Sequence, residues 1–174
     1  MEHREKVIKM IKDNIEHKKI VMDNSLLIAE YLIENRRLQL AIDVLRRACA
    51  HDNSKFELSE FYRLVGIMSD NTDESFTNPL SKMTDSEVNA VEVHWRNNRH
   101  HPEHHHNIND MSESDIIEVV CDWFSRSQQY GTDFMEFVEC RQKNRFKFSD
   151  DKYRLVEHYC ILLQNLYNNK VNDK

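Results

Sequence analysis

Apolar residues recur at three- and four-residue steps along most of the chain, a pattern that predicts helix after helix and no strand. Between residues 4 and 34 they are Val7, Ile8, Ile11, Ile15, Ile20, Val21, Leu27, Ile28, Tyr31 and Leu32, forming one long helix or two with a bend near His17. Leu38, Ala41, Ile42, Leu45, Ala48 and Cys49 mark a second helix from about Arg37 to Ala50. Ser54 and Glu57 have the spacing of a capping box and open a third helix through Phe56, Phe61, Tyr62 and Val65. From Ser69 to Met83 the composition turns to Ser, Asn, Thr, Asp and Pro, which predicts an exposed loop. A second box, Thr84 and Glu87, then starts a helix with Val88, Val91 and Trp95 inward, and Pro102 ends it at His101.

Ser112 and Asp115 open a strongly amphipathic helix that buries Ile116, Val119, Val120, Trp123 and Phe124. After a turn at Gly131, Asp133 and Glu136 begin a short helix with Phe134, Phe137 and Val138. Ser149 caps the last one, whose stripe is Tyr153, Val156, Tyr159, Cys160, Leu163 and Leu166. The basic run from Arg141 to Lys147 between them reads as scaffold.

Composition narrows the picture to an all-α, single-domain bundle. In 174 residues there are only 2 Gly and 2 Pro, which leaves almost no material for hairpins or Gly-rich phosphate loops. A formal charge of -6, from 24 basic and 30 acidic residues, argues against a general nucleic-acid-binding surface. Cys49, Cys121, Cys140 and Cys160 are scattered, mostly on apolar faces, with no C-x-x-C, and read as reduced core residues of an intracellular protein. With no signal peptide and no apolar run of membrane-spanning length, the expected location is the cytoplasm. A homodimer is the prior for a helical domain of this size.

Candidate chemistry is concentrated in histidines and acids. His51 and Asp52 stand side by side just past the second helix, where Asp52 points inward below Ala48 and Leu45 if the last turn continues. Either they donate to a divalent cation or Asp52 simply caps the corner. His17 shares a helical face with Val21, Asn24 and Ile28, so it is a ligand or a core histidine bonded to a carbonyl. Six of the 10 histidines lie in the thirteen residues from His94 to His106. His94, Asn98 and His101 share one face, and His100 joins them only if the backbone has unwound; His104, His105 and His106 look like a solvated tract. Asp122, between Cys121 and Trp123, pairs with Arg126 one turn on or answers a metal charge.

The donors occur in the order His17, then His51-Asp52, then His94 and His100-His101, then Asp122. That order resembles the HD superfamily of metal-dependent phosphohydrolases. More closely, His51-Asp52-x-Ser54-Lys55-Phe56, Asn98-Arg99-His100-His101-Pro102-Glu103 and Glu118-x-x-x-Asp122-Trp123 resemble a small uncharacterised HD-like family of phages and bacteria. The resemblance implies a metal-site core over about residues 10–130, with packing helices over about 132–168. It implies that His17, His51, Asp52 and Asp122 hold one ion, while His94 with His100 or His101 serves a second ion sharing Asp52, or contacts substrate phosphate. One or two ions of Mn, Fe, Zn, Ni or Co are expected, with Mg also suited. The chain lacks the Gly-rich signature that better-known subfamilies carry after the paired histidines.

The expected activity is hydrolysis of a phosphate ester of a nucleotide or related small molecule by metal-activated water. Asp52 is its central residue, Lys55 and Arg99 are the phosphate contacts with Arg96 behind them, and Glu118, or a histidine left outside the coordination shell, orients water or protonates the leaving oxygen. The alternatives are a phosphodiesterase for cyclic or signalling nucleotides and a non-catalytic helical metalloprotein that binds a nucleotide or a host protein. A phage-encoded protein would work in the host cytoplasm.

Overall fold

The computed structural model describes residues 3–58, 60, 61, 64 and 85–172. The expected loop from Ser69 to Met83, Thr84 of the second capping box, the side chains of Glu87 and Val88, and Tyr62 and Val65 lie outside the described residues. Six helices are delimited among the described residues: α1 (His3–Glu34), α2 (Leu38–Ala50), α3 (Asp85–Asn97), α4 (Glu113–Tyr130), α5 (Phe134–Arg141) and α6 (Asp150–Asn172). No strand occurs among the described residues, and none of the helices found there is long and apolar enough to cross a membrane.

The first stripe is one uninterrupted helix of 32 residues, with no bend at His17. It contains neither Gly nor Pro, so nothing in its backbone interrupts the hydrogen-bond ladder. The element at the centre is α4, which packs against α1, α2, α5 and α6. Its residues from Ser114 to Ser125 are all buried, and a helix hidden on every side belongs to an interior. Ile116, Ile117, Val120 and Cys121 meet Val21, Ile28 and Leu32 of α1, Val44 of α2 and Tyr159 and Leu163 of α6 in one continuous core. The start of α4 is fixed by the expected box, in which Ser112 Oγ accepts from the Asp115 amide and the Asp115 carboxylate accepts from the Ser112 amide. Its end is fixed by Gly131 in the left-handed region at φ 66°. Asp133 and Ser149 cap α5 and α6 as the sequence predicts.

Two corners differ from expectation, and both shape the site. Helix α2 stops at Ala50. His51 is extended at φ -48°, ψ 127°, and Asp52 is left-handed at φ 54°, a conformation that Asp tolerates better than most residues. Asp52 is therefore turned inward by a sharp reversal, not by a continued helical turn. The Ser54–Glu57 box does not form either: Asn53–Phe56 is a 3₁₀ turn, Phe56 is exposed, and the Ser54 hydroxyl accepts from Asn98 at 2.8 Å. At the other corner α3 ends at Asn97, four residues before His101, and His101 takes the extended conformation that a following proline requires.

Candidate metal centre

Three helices and two corners bring the expected donors to one place. His17 comes from the middle of α1, His51 and Asp52 from the reversal after α2, His94 from the last turn of α3, His100 and His101 from the unwound segment that follows, and Asp122 from α4. His17, His51, Asp52, His94, His100 and Asp122 are buried, and His101 is half-buried. The unwinding after Asn97 is what lets His94, His100 and His101 face one another, since a continued helix would have turned His100 away.

Asp52 divides the donors into two sets. On its Oδ2 side, His17 Nε2 lies 3.4 Å from His51 Nε2, 2.9 Å from Asp122 Oδ1 and 3.9 Å from Asp52 Oδ2. His51 Nε2 is 3.6 Å from the same Asp52 oxygen and 3.8 Å from Asp122 Oδ1. On its Oδ1 side, His94 Nε2 is at 3.4 Å and His100 Nε2 at 3.6 Å, with His101 Nε2 at 2.9 Å from His94 Nε2. Four donors at roughly 2.0–2.2 Å from a tetrahedral ion stand roughly 3.3–3.6 Å apart, so both sets have the dimensions of a cation site. Asp52 with His94, His100 and His101, and Asp52 with His17 and His51, both satisfy metal-ligand spacing.

The backs of the rings are held by oxygens, so that their Nε2 fronts face one another and the Asp52 and Asp122 carboxylates across the centre. The Nδ1–H of His17 is shared by Ser125 Oγ at 3.0 Å and Gln129 Oε1 at 3.2 Å. His51 and His100 both donate through Nδ1 to Glu118 Oε1, each at 3.1 Å. The other Glu118 oxygen takes Arg47 at 3.3 Å, and Arg47 also pairs with buried Asp115 at 2.8 Å. His94 donates through Nδ1 to Glu60 Oε1 at 2.6 Å, and Asn97 donates to Glu60 Oε2 at 3.2 Å. A proton held at Nδ1 leaves the Nε2 lone pair of a neutral imidazole pointing into the centre, the arrangement that metal-binding histidines require. Asp52 Oδ1 and His100 Nε2 are buried without a hydrogen-bond partner. Such orphaned atoms are rare unless an ion or water meets them, and the donor set fits a divalent transition metal.

Protonation agrees with that fit at Asp52, Asp122 and His17 but not at His100. Burial would raise the carboxyl of Asp52, but the Lys55 ammonium and the surrounding imidazoles His51, His94 and His100 hold it well below the usual carboxylate range. Asp122 is likewise held ionised, against its burial, by His17. Burial pushes His17 down to about 4, with the Arg126 and Lys55 charges adding to it against the Asp122 hydrogen bond. His100 goes the other way: burial lowers it, but the Glu118 bond and the Glu118, Asp52 and Asp122 charges outweigh that and raise it to about 9.

Several expected roles change. Glu118 stands behind two rings and is tied to Arg47, so it positions His51 and His100 and does not face the space between the donors. Arg99 has its side chain 56% exposed and pairs with Asp115 at 3.2 Å, towards the start of α4; Arg96 is exposed and within 3.5 Å of Glu92. Lys55 remains at the centre, buried, with its Nζ 2.6 Å from Asp52 Oδ2. No ion pair joins Asp122 to Arg126 among the described residues; Arg126 donates to Gln129 instead. His104 and His105 are not a free tract, because their rings bond the Arg96 and Arg99 carbonyls at 2.7 and 2.8 Å and pin the segment carrying His100 and His101. Glu60 and Arg47 escape sequence reasoning: one is an acid in an amphipathic run and the other a basic residue late in a helix, and neither stands near a motif. Ser125 had a signal in its three-residue spacing from Asp122.

No curated protein and no solved structure matches the chain. Residues 6–169 match the model of a family described as a family of unknown function, DUF5662, a span that includes every donor described above. The chain belongs to that family.

Proposed function

We propose that the protein is a metal-dependent phosphohydrolase that cleaves a phosphate ester of a nucleotide or a related small molecule. The observation that carries this reading is Asp52, whose two oxygens face two separate groups of Nε2 atoms. His17, His51, Asp52 and Asp122 would hold one divalent ion, and His94, His100 and His101 a second that shares Asp52. Ions held by these residues would supply an acidified water as nucleophile and a positive charge against the phosphoryl group during displacement.

The chain supplies the rest. Lys55 places an ammonium against Asp52, where it neutralises a phosphate oxygen brought to the ions. Glu118 and Glu60 fix the tautomer and aim of three rings, so the donors need little rearrangement when an ion enters. Nitrogen and oxygen donors suit Mn, Fe, Co, Ni or Zn and tolerate Mg with added water. The order of donors along the chain, shared with HD-type phosphohydrolases, supports the same reading.

The test is metal analysis of the purified protein, followed by a screen of nucleoside phosphates, cyclic nucleotides and simple phosphate esters with Mn²⁺, Mg²⁺ and Ni²⁺ added separately. Hydrolysis that disappears together with the ions in Asp52→Ala supports the proposal. Bound ions with no turnover of any ester would replace it with a non-catalytic metalloprotein. Cleavage confined to cyclic nucleotides would make it a phosphodiesterase.

A further inference from the structure

A cavity of about 250 Å³ opens beside the metal centre, with His101 and Asp122 in its lining. Both tryptophans of the chain, Trp95 and Trp123, also line it. One wall is a ladder of flat groups. The Arg145 guanidinium lies 4.5 Å from the centre of the Trp95 ring and 5.2 Å from that of Phe146, and Phe146 stacks on Trp123 at 5.5 Å with 9° between planes. The basic run that reads as scaffold in the sequence is thus part of the site's surroundings.

Two further observations bear on what the cavity could receive. Ser127 Oγ, Thr132 Oγ1 and Glu103 Oε2, all from lining residues, are buried without hydrogen-bond partners. Arg145 pairs with Glu103, but Arg141 lies over Phe137 at 4.9 Å and has no carboxylate at ion-pair distance among the described residues. A flat apolar wall, an uncompensated cation and orphaned polar atoms suit a ligand that is planar, polar at its edge and anionic overall.

We infer that this cavity is the subsite for the organic half of the substrate, a heteroaromatic ring carried on a phosphate monoester, as in a nucleoside monophosphate. The inference rests on the phosphohydrolase reading and narrows it. The ring extends the Trp95–Arg145–Phe146–Trp123 ladder, its N–H edge is met by Glu103 Oε2, and Ser127 and Thr132 bond the remaining edge or the sugar. Arg141 balances the phosphate, which is turned towards His101 and Asp122. At about 250 Å³ the cavity falls below the roughly 300–1,000 Å³ typical of drug-sized ligands.

Because both tryptophans face the cavity, their fluorescence reports occupancy without turnover. AMP, adenosine and ribose 5-phosphate are titrated into the protein in the presence of EDTA, and hydrolysis is assayed separately with Mn²⁺. AMP and adenosine are expected to change the emission saturably, ribose 5-phosphate is expected to leave it flat, and Arg141→Ala is expected to weaken AMP by about tenfold with metal content unchanged. If Arg141→Ala does not fold, Arg141→Gln, which keeps a long polar side chain and removes the charge that balances the phosphate, is expected to weaken AMP as well. Ribose 5-phosphate matching AMP in binding, or ring-free esters being hydrolysed as fast as AMP, would overturn the subsite while leaving the phosphohydrolase standing. Saturable AMP binding to a protein that holds no ion and cleaves no ester would uphold the subsite and overturn the phosphohydrolase.

Discussion

The Nε2 atom of His17 on α1 lies 2.9 Å from Oδ1 of Asp122 on α4. Neither residue belongs to a sequence motif that the other completes, and the contact exists only because α1 packs its buried face along α4. His17 shares that face with Val21, Asn24 and Ile28, so the packing that buries the aliphatic residues also delivers the imidazole. Core formation and site assembly are one event here.

If two sets of donors share Asp52, ion content should fall stepwise. Native protein loaded with Mn²⁺ or Zn²⁺ is expected to hold about two ions per chain, as in two-metal hydrolases. His17→Ala and His94→Ala are each expected to lose one ion, and Asp52→Ala both, read by elemental analysis after dialysis. Equal loss in all three variants would mean a single shared ion.

Glu118 should matter without touching an ion. In Glu118→Gln the shape stays while the charge behind His51 and His100 disappears, and metal affinity is expected to fall about 10- to 100-fold. Isothermal titration measures this, and an unchanged affinity would remove Glu118 from the centre.

Removing the ions should cost stability. With free ion about 100-fold above its dissociation constant, one site contributes about 2.7 kcal/mol. At about 2–4 °C per kcal/mol for a chain of this size, EDTA is expected to lower Tm by about 5–10 °C per site. An unchanged melting curve would show that no ion had been bound.

Proton competition sets the pH dependence of loading. In the ion-free protein His100 is raised to about 9, so at neutral pH an incoming ion must displace its proton. Affinity is expected to rise with pH up to about 9, with proton release detected as a heat that varies with the buffer. The same shift gives the ion-free fold stability that is fully present below the unfolded value near 6.5 and lost as pH rises through about 9. His17, lowered to about 4, has the opposite sign: its neutral form is favoured, and stability is lost as pH falls from about 6.5 towards 4. Ion-free protein should therefore be most stable near pH 6.5, and loading should remove the alkaline loss.

Much of this was legible in the sequence because burial and periodicity carry it. The stripes of α4 and α6, the Ser112–Asp115 box and the Gly131 stop are local signals and appear where the spacing puts them, whereas α2 buries Ala41, Val44 and Ala48 and leaves Leu38, Ile42 and Cys49 of its expected stripe exposed. The candidate donors stood out for the same reason, and the fold gathers them: each is polar where its helix is otherwise apolar, or sits at a corner. Contacts set by tertiary approach were not legible. Arg99 turns to Asp115, Glu118 backs two rings, and Glu60 reaches His94 from a neighbouring element, none of which has a sequence spacing. Nor could the reversal at Asp52 be read, since a left-handed aspartate leaves no periodic trace. Arg141 and Arg145 belong to the run that reads as scaffold, and only the tertiary packing beside Phe146 and Trp123 places them in the lining of the cavity.

The most direct test is anomalous diffraction from crystals grown with Mn²⁺. The expected result is one peak enclosed by His17 Nε2, His51 Nε2, Asp52 Oδ2 and Asp122 Oδ1, and a second on the Oδ1 side of Asp52 facing His94, His100 and His101. A centre with no manganese peak, or manganese found only at His104, His105 and His106, would contradict the account.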